Sequence, residues 1–382
     1  MSNMSLVKKI GLITIYHVSN YGSVLQTYAT QELIKRLGCE CVVLRYRYPN
    51  DWHCKLDPQR CKKSFILILA RLLWLTPNIR KFNKLVKFRE KKLNFSREYV
   101  SLDDLRGEDW KDYFAVIVGS DQVWNYRYTL ADSAFMLSFL PEGKYRFSFA
   151  SSFAQKTISD SVLREKYRKY LSKFSALSVR ENNGISIISD ELQLNKSVTV
   201  VLDPTLLLSA TDWLNILPRS RFVKKRKYIL LYLLTYAFES RPYVFEVLQY
   251  LKNKYNYDII ALEGYTPKEK ALGIDMIDMR DSSIYQYIDL FENADMIVTT
   301  SFHGTAFALN FGKPLVSIVP DDKGDDRQMS LMHDLGVENC IVNVGNNLQD
   351  INPFYDVKLE QDRLCQLRNK SINWLIDKLE KE

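Results

Sequence analysis

The sequence is poor in the features that would place a chain of this length in a simple class. Six cysteines (Cys39, Cys41, Cys54, Cys61, Cys340, Cys365) among 382 residues are too sparse for a disulfide framework. Cys39 and Cys41 have neither zinc-ligand spacing nor histidines beside them, so reduced thiols in a cytoplasmic protein are expected. The apolar run SFILILARLLWLTP at 64–77 is interrupted by Arg71 and is shorter than the roughly 20 residues a bilayer span requires. The first residues have no small-residue cleavage site after their lysines and read as a strand, so secretion is not expected. Low-complexity tracts and repeats are lacking. The loop 17–22 holds a single glycine, which excludes a dinucleotide fingerprint and a P-loop. No RNA- or DNA-binding motif is present, so no nucleic-acid partner is expected.

With 46% apolar and 26% charged residues the chain is globular, too long for one compact core and suited to two domains. Its net charge is +8, and residues 80–92 (RKFNKLVKFREKK) hold seven basic side chains against one acid. Together with the apolar run before it, this stretch reads as a basic helical insertion at about 60–96. It either packs on its domain with a solvated face or docks peripherally on an anionic membrane surface.

Strand and helix patterns alternate along the whole length. Residues 8–16 read as a first strand and 23–37 as a helix closed by Gly38. Further strands are expected at 41–46, 114–118, 145–150, 176–179 and 198–202, with a helix at 160–174. Residues 205–227, with KKRK at 224–227, read as a domain linker. A second series opens at Tyr228: strands at 228–234, 257–261, 295–299 and 315–319, and helices at 240–254, 283–292, 302–310 and 329–335. Such alternation predicts an α/β fold of two Rossmann-like, doubly wound domains. The expected bounds are 1–210, 211–350 and a terminal helical segment 351–382.

In such sheets ligands gather at the carboxyl ends of the strands, which singles out a few polar residues. After the first strand come Asn20, Tyr21 and Gly22. After 114–118 come Gly119, Ser120 and Asp121; Asp121 reads either as a helix cap or as a general base that steers an acceptor hydroxyl. Trp124 offers either an apolar face for a sugar ring or plain packing. Ser151 and Ser152 follow 145–150. Arg180 follows 176–179, and a guanidinium there needs an anionic partner, either Glu181 or another carboxylate, or a ligand. In 295–320, Ser301 sits where an N-cap belongs, with His303 and Gly304 in the helix's first turn, where backbone N–H groups and the dipole attract anions. His303 reads as a capping or core histidine or as a functional one, and Gly304 as leaving room for a ligand. Asp321, Asp322, Asp325 and Asp326 lack EF-hand spacing and read as a solvated loop.

Five blocks in order, SNYGSVLQTYATQELIKRLG at 19–38, VIVGSDQVWN at 116–125, ALSVREN at 176–182, VLDPTLLL at 201–208 and TSFHGTAFALNFGKPLVSI at 300–318, resemble the polysaccharide pyruvyl transferase family. The resemblance implies a fold similar to two-domain glycosyltransferases of the B type, two domains facing a cleft, with the terminal helix crossing back to the first domain. It implies transfer of the pyruvyl unit of phosphoenolpyruvate to sugar hydroxyls of a surface polysaccharide or its lipid-linked precursor, forming a ketal, with the acceptor on the first domain and phosphoenolpyruvate on the second. Under it His303 is the acid, Arg180, Arg327 and the helix start at Ser301 are anion clamps, and Asp121 serves the acceptor. No metal or other cofactor is expected beyond phosphoenolpyruvate as co-substrate. Two other classes stay open: a glycosyltransferase using a nucleotide sugar, and a non-catalytic carbohydrate-binding protein.

Overall fold

A computed structural model describes residues 7–47, 69, 73, 76–220, 222, 225–236, 238–264, 273–320 and 327–380. Cys54, Cys61, most of the apolar run 64–77, Arg221, Lys224 and the acidic loop 321–326 lie outside the described residues. The chain divides into two compact units, Met1–Arg60 with Phe88–Leu207 and Leu367–Glu382, and Cys61–Lys87 with Leu208–Gln366. Among the described residues Cys39, Cys41 and Cys340 are free thiols.

The first unit is built on strands β1 (Lys9–Ile13), β2 (Glu40–Tyr46), β3 (Phe95–Tyr99), β4 (Ala115–Val118) and β5 (Arg146–Ser148). All neighbours are parallel, in the order β3-β2-β1-β4-β5. A further parallel pair, β6 (Leu177–Val179) and β7 (Val198–Val200), is bridged to β5 through Phe147 and Ala176. Strand β4 is apolar throughout because parallel sheets are covered on both faces, and all four of its residues are buried. Helix α1 (Tyr21–Arg36) starts two residues earlier than its pattern suggested: Asn20 is its cap, accepting from the N–H groups of Gly22 (2.8 Å) and Ser23 (3.3 Å). Helix α2 (Pro77–Lys92) follows the residues outside the description, and α3 (Ser161–Leu171) packs beside the sheet. Strand β3 begins at the end of the stretch read as a basic helical insertion and runs beyond it; its sequence, FSREY, is too polar to signal a strand, and it forms the exposed edge.

The second unit contains β8 (Tyr228–Tyr232), β9 (Asp258–Glu263), β10 (Ile277–Asp278), β11 (Met296–Thr299), β12 (Leu315–Val319) and β13 (Ile341–Asn343), all parallel, in the order β10-β9-β8-β11-β12-β13. Its helices are α4 (Tyr243–Tyr255), α5 (Ile284–Asn293), α6 (Phe302–Asn310) and α7 (Arg327–Leu335). Counted within the unit the strand order is 3-2-1-4-5-6, the doubly wound arrangement, and the first unit shares its 3-2-1-4-5 part. The winding direction therefore reverses between β1 and β4 in one unit and between β8 and β11 in the other. The stretch read as a linker holds two short helices, Pro204–Leu207 with proline at its first position and Ala210–Ile216 with a capping box from Ser209 and Asp212.

The basic stretch 80–92 is not a free cationic face. Lys81 pairs with Glu263 at 2.5 Å, Arg80 with Asp281 at 2.5 Å and Lys84 with Asp281 at 3.8 Å, all within the second unit. Arg89 is buried in the first unit and donates to the carbonyl of Tyr16 at 3.1 Å. These contacts explain why the segment is shared between the units instead of standing as an insertion on the first. Helix α8 (Val357–Glu380) closes the chain, and its last residues belong to the first unit, where Trp374 stacks on Phe149 with centroids 6.2 Å apart.

Candidate active site

In each unit the polar residues singled out from the sequence gather at the point where the strand order reverses. In the first unit the turn after β4 is drawn tightly against β1. A Cβ on Gly119 would meet Leu12 Cδ1 at 2.8 Å, and Thr14 Oγ1 donates to the carbonyl of Ser120 at 2.8 Å. Asp121 then takes φ = 72°, the left-handed region that a non-glycine residue occupies at a cost of about 1–3 kcal/mol and that clusters at functional sites. Its Oδ2 accepts from Ser23 Oγ at 2.5 Å and its Oδ1 from its neighbour's N–H at 2.9 Å. The carboxylate is thus aimed by α1 and by its own turn, which is more than a helix cap requires.

The neighbouring residues form a closed network. Asp203, following β7, accepts from Ser120 Oγ (2.8 Å), Arg180 Nη1 (2.8 Å), and both the N–H (2.9 Å) and hydroxyl (2.6 Å) of Thr205. Glu181 Oε1 accepts from Ser152 Oγ and from the N–H groups of Phe153 and Ala154 at 2.9–3.1 Å. Ser151 Oγ donates to the carbonyl of Gly119 at 2.8 Å. Arg180, whose side chain is 1% exposed, pairs through Nη1 with the carboxylate of Asp203, the protein partner that the sequence reading held open beside a ligand. Asp203 was the partner that sequence reasoning missed, although it stands in one of the five blocks. Trp124 is also corrected: it is fully buried, packs against Phe153 and Phe174, and donates through Nε1 to the carbonyl of Phe135 at 2.9 Å, so its face is core. Tyr21 and Gly22 are buried in the first turn of α1, which leaves Asn20 as the part-exposed member of that trio.

In the second unit the turn from β11 to α6 is held from both sides. Thr299 Oγ1 donates to the carbonyl of Tyr232 on β8 (2.8 Å) and accepts from the N–H of Ser301 (3.0 Å). Thr300 Oγ1 accepts from and donates to the backbone of Leu234 at 2.8 and 2.9 Å. Ser301 caps α6, accepting from the N–H of Gly304 at 3.3 Å. His303 is 6% exposed with its ring edge-on to Phe302, so it sits beneath the surface of the helix start and not on a solvent-facing turn. A Cβ on Gly304 would meet Thr299 Oγ1 at 2.2 Å and Tyr232 Cδ1 at 3.0 Å; this glycine lets the helix approach the sheet, and ligand access is not its reason. Arg327 opens α7 and is 8% exposed.

Among the described residues the two edges differ in charge. At the first, Asp121, Glu181 and Asp203 outnumber Arg180; at the second stand His303, Arg327 and a helix start without acidic residues in its first turn. Among the described residues no group of three or more His, Cys, Asp or Glu is arranged to hold a metal ion, and no helix is long and apolar enough to cross a membrane.

The fold is that of the glycosyltransferase B type and its relatives. UDP-GlcNAc 2-epimerase from Neisseria meningitidis, solved bound to UDP-GlcNAc, is 12% identical, with 98% of this chain and 100% of that one covered and a TM-score of 0.54. The UDP-GlcNAc 2-epimerase of Methanocaldococcus jannaschii is likewise 12% identical, covering 94% and 99%, with a TM-score of 0.54. Medicago truncatula UGT71G1 complexed with UDP-glucose is 11% identical, covering 99% of each chain, with a TM-score of 0.50. A search of curated proteins returns no significant sequence match. The polysaccharide pyruvyl transferase family model matches residues 20–322, most of the chain and the whole of the five blocks but for Ser19, and the chain belongs to that family.

Proposed function

We propose that the protein transfers the pyruvyl group of phosphoenolpyruvate to two hydroxyls of a sugar in a surface polysaccharide or its lipid-linked precursor, on the cytoplasmic side of the membrane, releasing phosphate and forming a cyclic ketal. The observation that carries this reading is the split in charge between the two strand-reversal points. Among the described residues, a trianionic donor is repelled by the excess of carboxylates over Arg180 at the first and attracted by a helix start with an arginine and a histidine at the second, whereas neutral hydroxyls are well served by a carboxylate. Phosphoenolpyruvate is therefore assigned to the second unit and the sugar to the first.

Addition of a sugar hydroxyl to the central carbon needs an acid for the methylene carbon and a base for the hydroxyl's proton; His303 is assigned the first role and Asp121 the second. Phosphate then leaves with the C–O bonding pair, the second hydroxyl takes its place, and that hydroxyl's proton leaves on the departing phosphate. Arg327 and the start of α6 hold the phosphate and carboxylate of the donor. Arg180 acts one step removed, through Asp203 and Ser120, by fixing the turn that carries Asp121. No step needs a metal ion, so activity should survive chelation.

Phosphoenolpyruvate should raise the melting temperature of the full chain, and UDP-sugars should not; at a hundredfold excess over Kd the stabilisation is about 2.7 kcal/mol. His303→Gln should lower transfer by about 100- to 10,000-fold while the variant still folds and is still stabilised by phosphoenolpyruvate. Stabilisation by a UDP-sugar alone would favour a glycosyltransferase, and retained activity in His303→Gln would return this histidine to a packing role.

A further inference from the structure

The first turn of α7 is fastened to α6 and β12 by three side chains that take no part in the chemistry above. Gln328 is 6% exposed, and its Nε2 donates to Ser317 Oγ at 2.8 Å and to Thr305 Oγ1 at 3.3 Å. The two hydroxyls lie 2.9 Å from each other, closing a triangle whose Thr305 and Ser317 corners are fully buried. Each corner belongs to a different element. Thr305 is two residues beyond His303 on α6, Ser317 is at the centre of β12, and Gln328 adjoins Arg327 at the start of α7. An amide with two N–H donors can hold both hydroxyls at once, and a carboxylate or thioether of the same length cannot donate to either.

From this triangle we infer that Gln328 is a positioning residue for the donor anion. It sets where Arg327 stands relative to His303, by tying the helix that carries one to the helix that carries the other. The inference rests on the proposed assignment of the anionic donor to the second unit. A core contact of purely structural use would be met as well by apolar packing between α6, β12 and α7, and would be costly to build from three polar groups that must all be satisfied. A polar triangle instead fixes one register between the helices, which a site that must hold a guanidinium to within a fraction of an ångström requires.

The test uses the full chain and three variants: Gln328→Met, which keeps length and removes the donors; Thr305→Val, which removes the hydroxyl and keeps the shape; and Thr305→Ser, which restores the hydroxyl. Gln328→Met and Thr305→Val should each raise KM and Kd for phosphoenolpyruvate by about tenfold, the loss expected when one charge-assisted bond is misplaced, with kcat at saturation within about threefold of wild type. Thr305→Ser should bind as wild type does, and combining Gln328→Met with Thr305→Val should add little to either alone. Unchanged Kd and KM in Gln328→Met, with only a lower melting temperature, would overturn the inference. If Gln328→Met does not fold, Thr305→Val decides by the same readouts. If wild type does not bind phosphoenolpyruvate, the functional proposal falls by itself; titration with inorganic phosphate then decides the positioning role, weaker binding in Gln328→Met supporting it and equal or absent binding in both proteins overturning it.

Discussion

A buried guanidinium beside a buried carboxylate is costly to separate, and this governs what Arg180 can do. Its Nη1 lies 2.8 Å from Asp203 Oδ2, and the two side chains are 1% and 0% exposed. Removing the cation leaves Asp203 charged in a site closed to water, so Arg180→Met should lose about 3–5 kcal/mol of stability in urea unfolding. Its Kd for phosphoenolpyruvate should stay within about twofold of wild type; a large loss of affinity with stability intact would return Arg180 to the ligand. The residues around Arg180 showed that it needed an anion but not which one. Asp203 is 23 positions away and arrives only because β6 and β7 pair, Val179 against Val200. Trp124 illustrates the same limit, since its place three residues after Asp121 did not reveal that its ring faces Phe153 and Phe174.

At the scale of elements, the first turn of α6 is as close to β11 as a helix can come. Alanine is the better helix former by about 1 kcal/mol, yet Gly304→Ala should destabilise by about 1–3 kcal/mol, because its Cβ would lie 2.2 Å from Thr299 Oγ1, whose hydroxyl is committed to Tyr232 and Ser301. Thermal melting of the variant checks the sign, and a rise would mean that the turn has room to give. Helix α2 makes a related point about charge. Its spacing announced a cationic helix, and it is one, but Arg80, Lys81, Lys84 and Arg89 meet partners within the protein, so a count of basic residues overstated what is left for an anionic membrane.

For the whole molecule, the end of the chain completes the first unit. Lys8 Nζ donates to the carbonyl of Leu379 at 2.8 Å, the N–H of Leu202 to Ser371 Oγ at 3.0 Å, and Arg368 Nε to the carbonyl of Leu206 at 2.8 Å, while the ring of Trp374 lies 13° from parallel to Phe149. Trp374→Ala should therefore cost about 1–3 kcal/mol, a loss below the 3–5 kcal/mol of a fully buried tryptophan because this ring is part-exposed. Differential scanning calorimetry measures it, and no loss would mean that the terminal helix is dispensable to that unit. The sequence by itself determined the α/β class, the two series of alternating elements, the cap at Ser301, the polar residues at strand ends and the family, because these depend on local period, turn chemistry and short blocks. Only the tertiary structure decided the strand orders that place Asp121 and His303 at reversal points, and which strand-end residues are consumed by internal partners. Those outcomes follow from parallel pairings between segments tens of residues apart, and no local pattern encodes them.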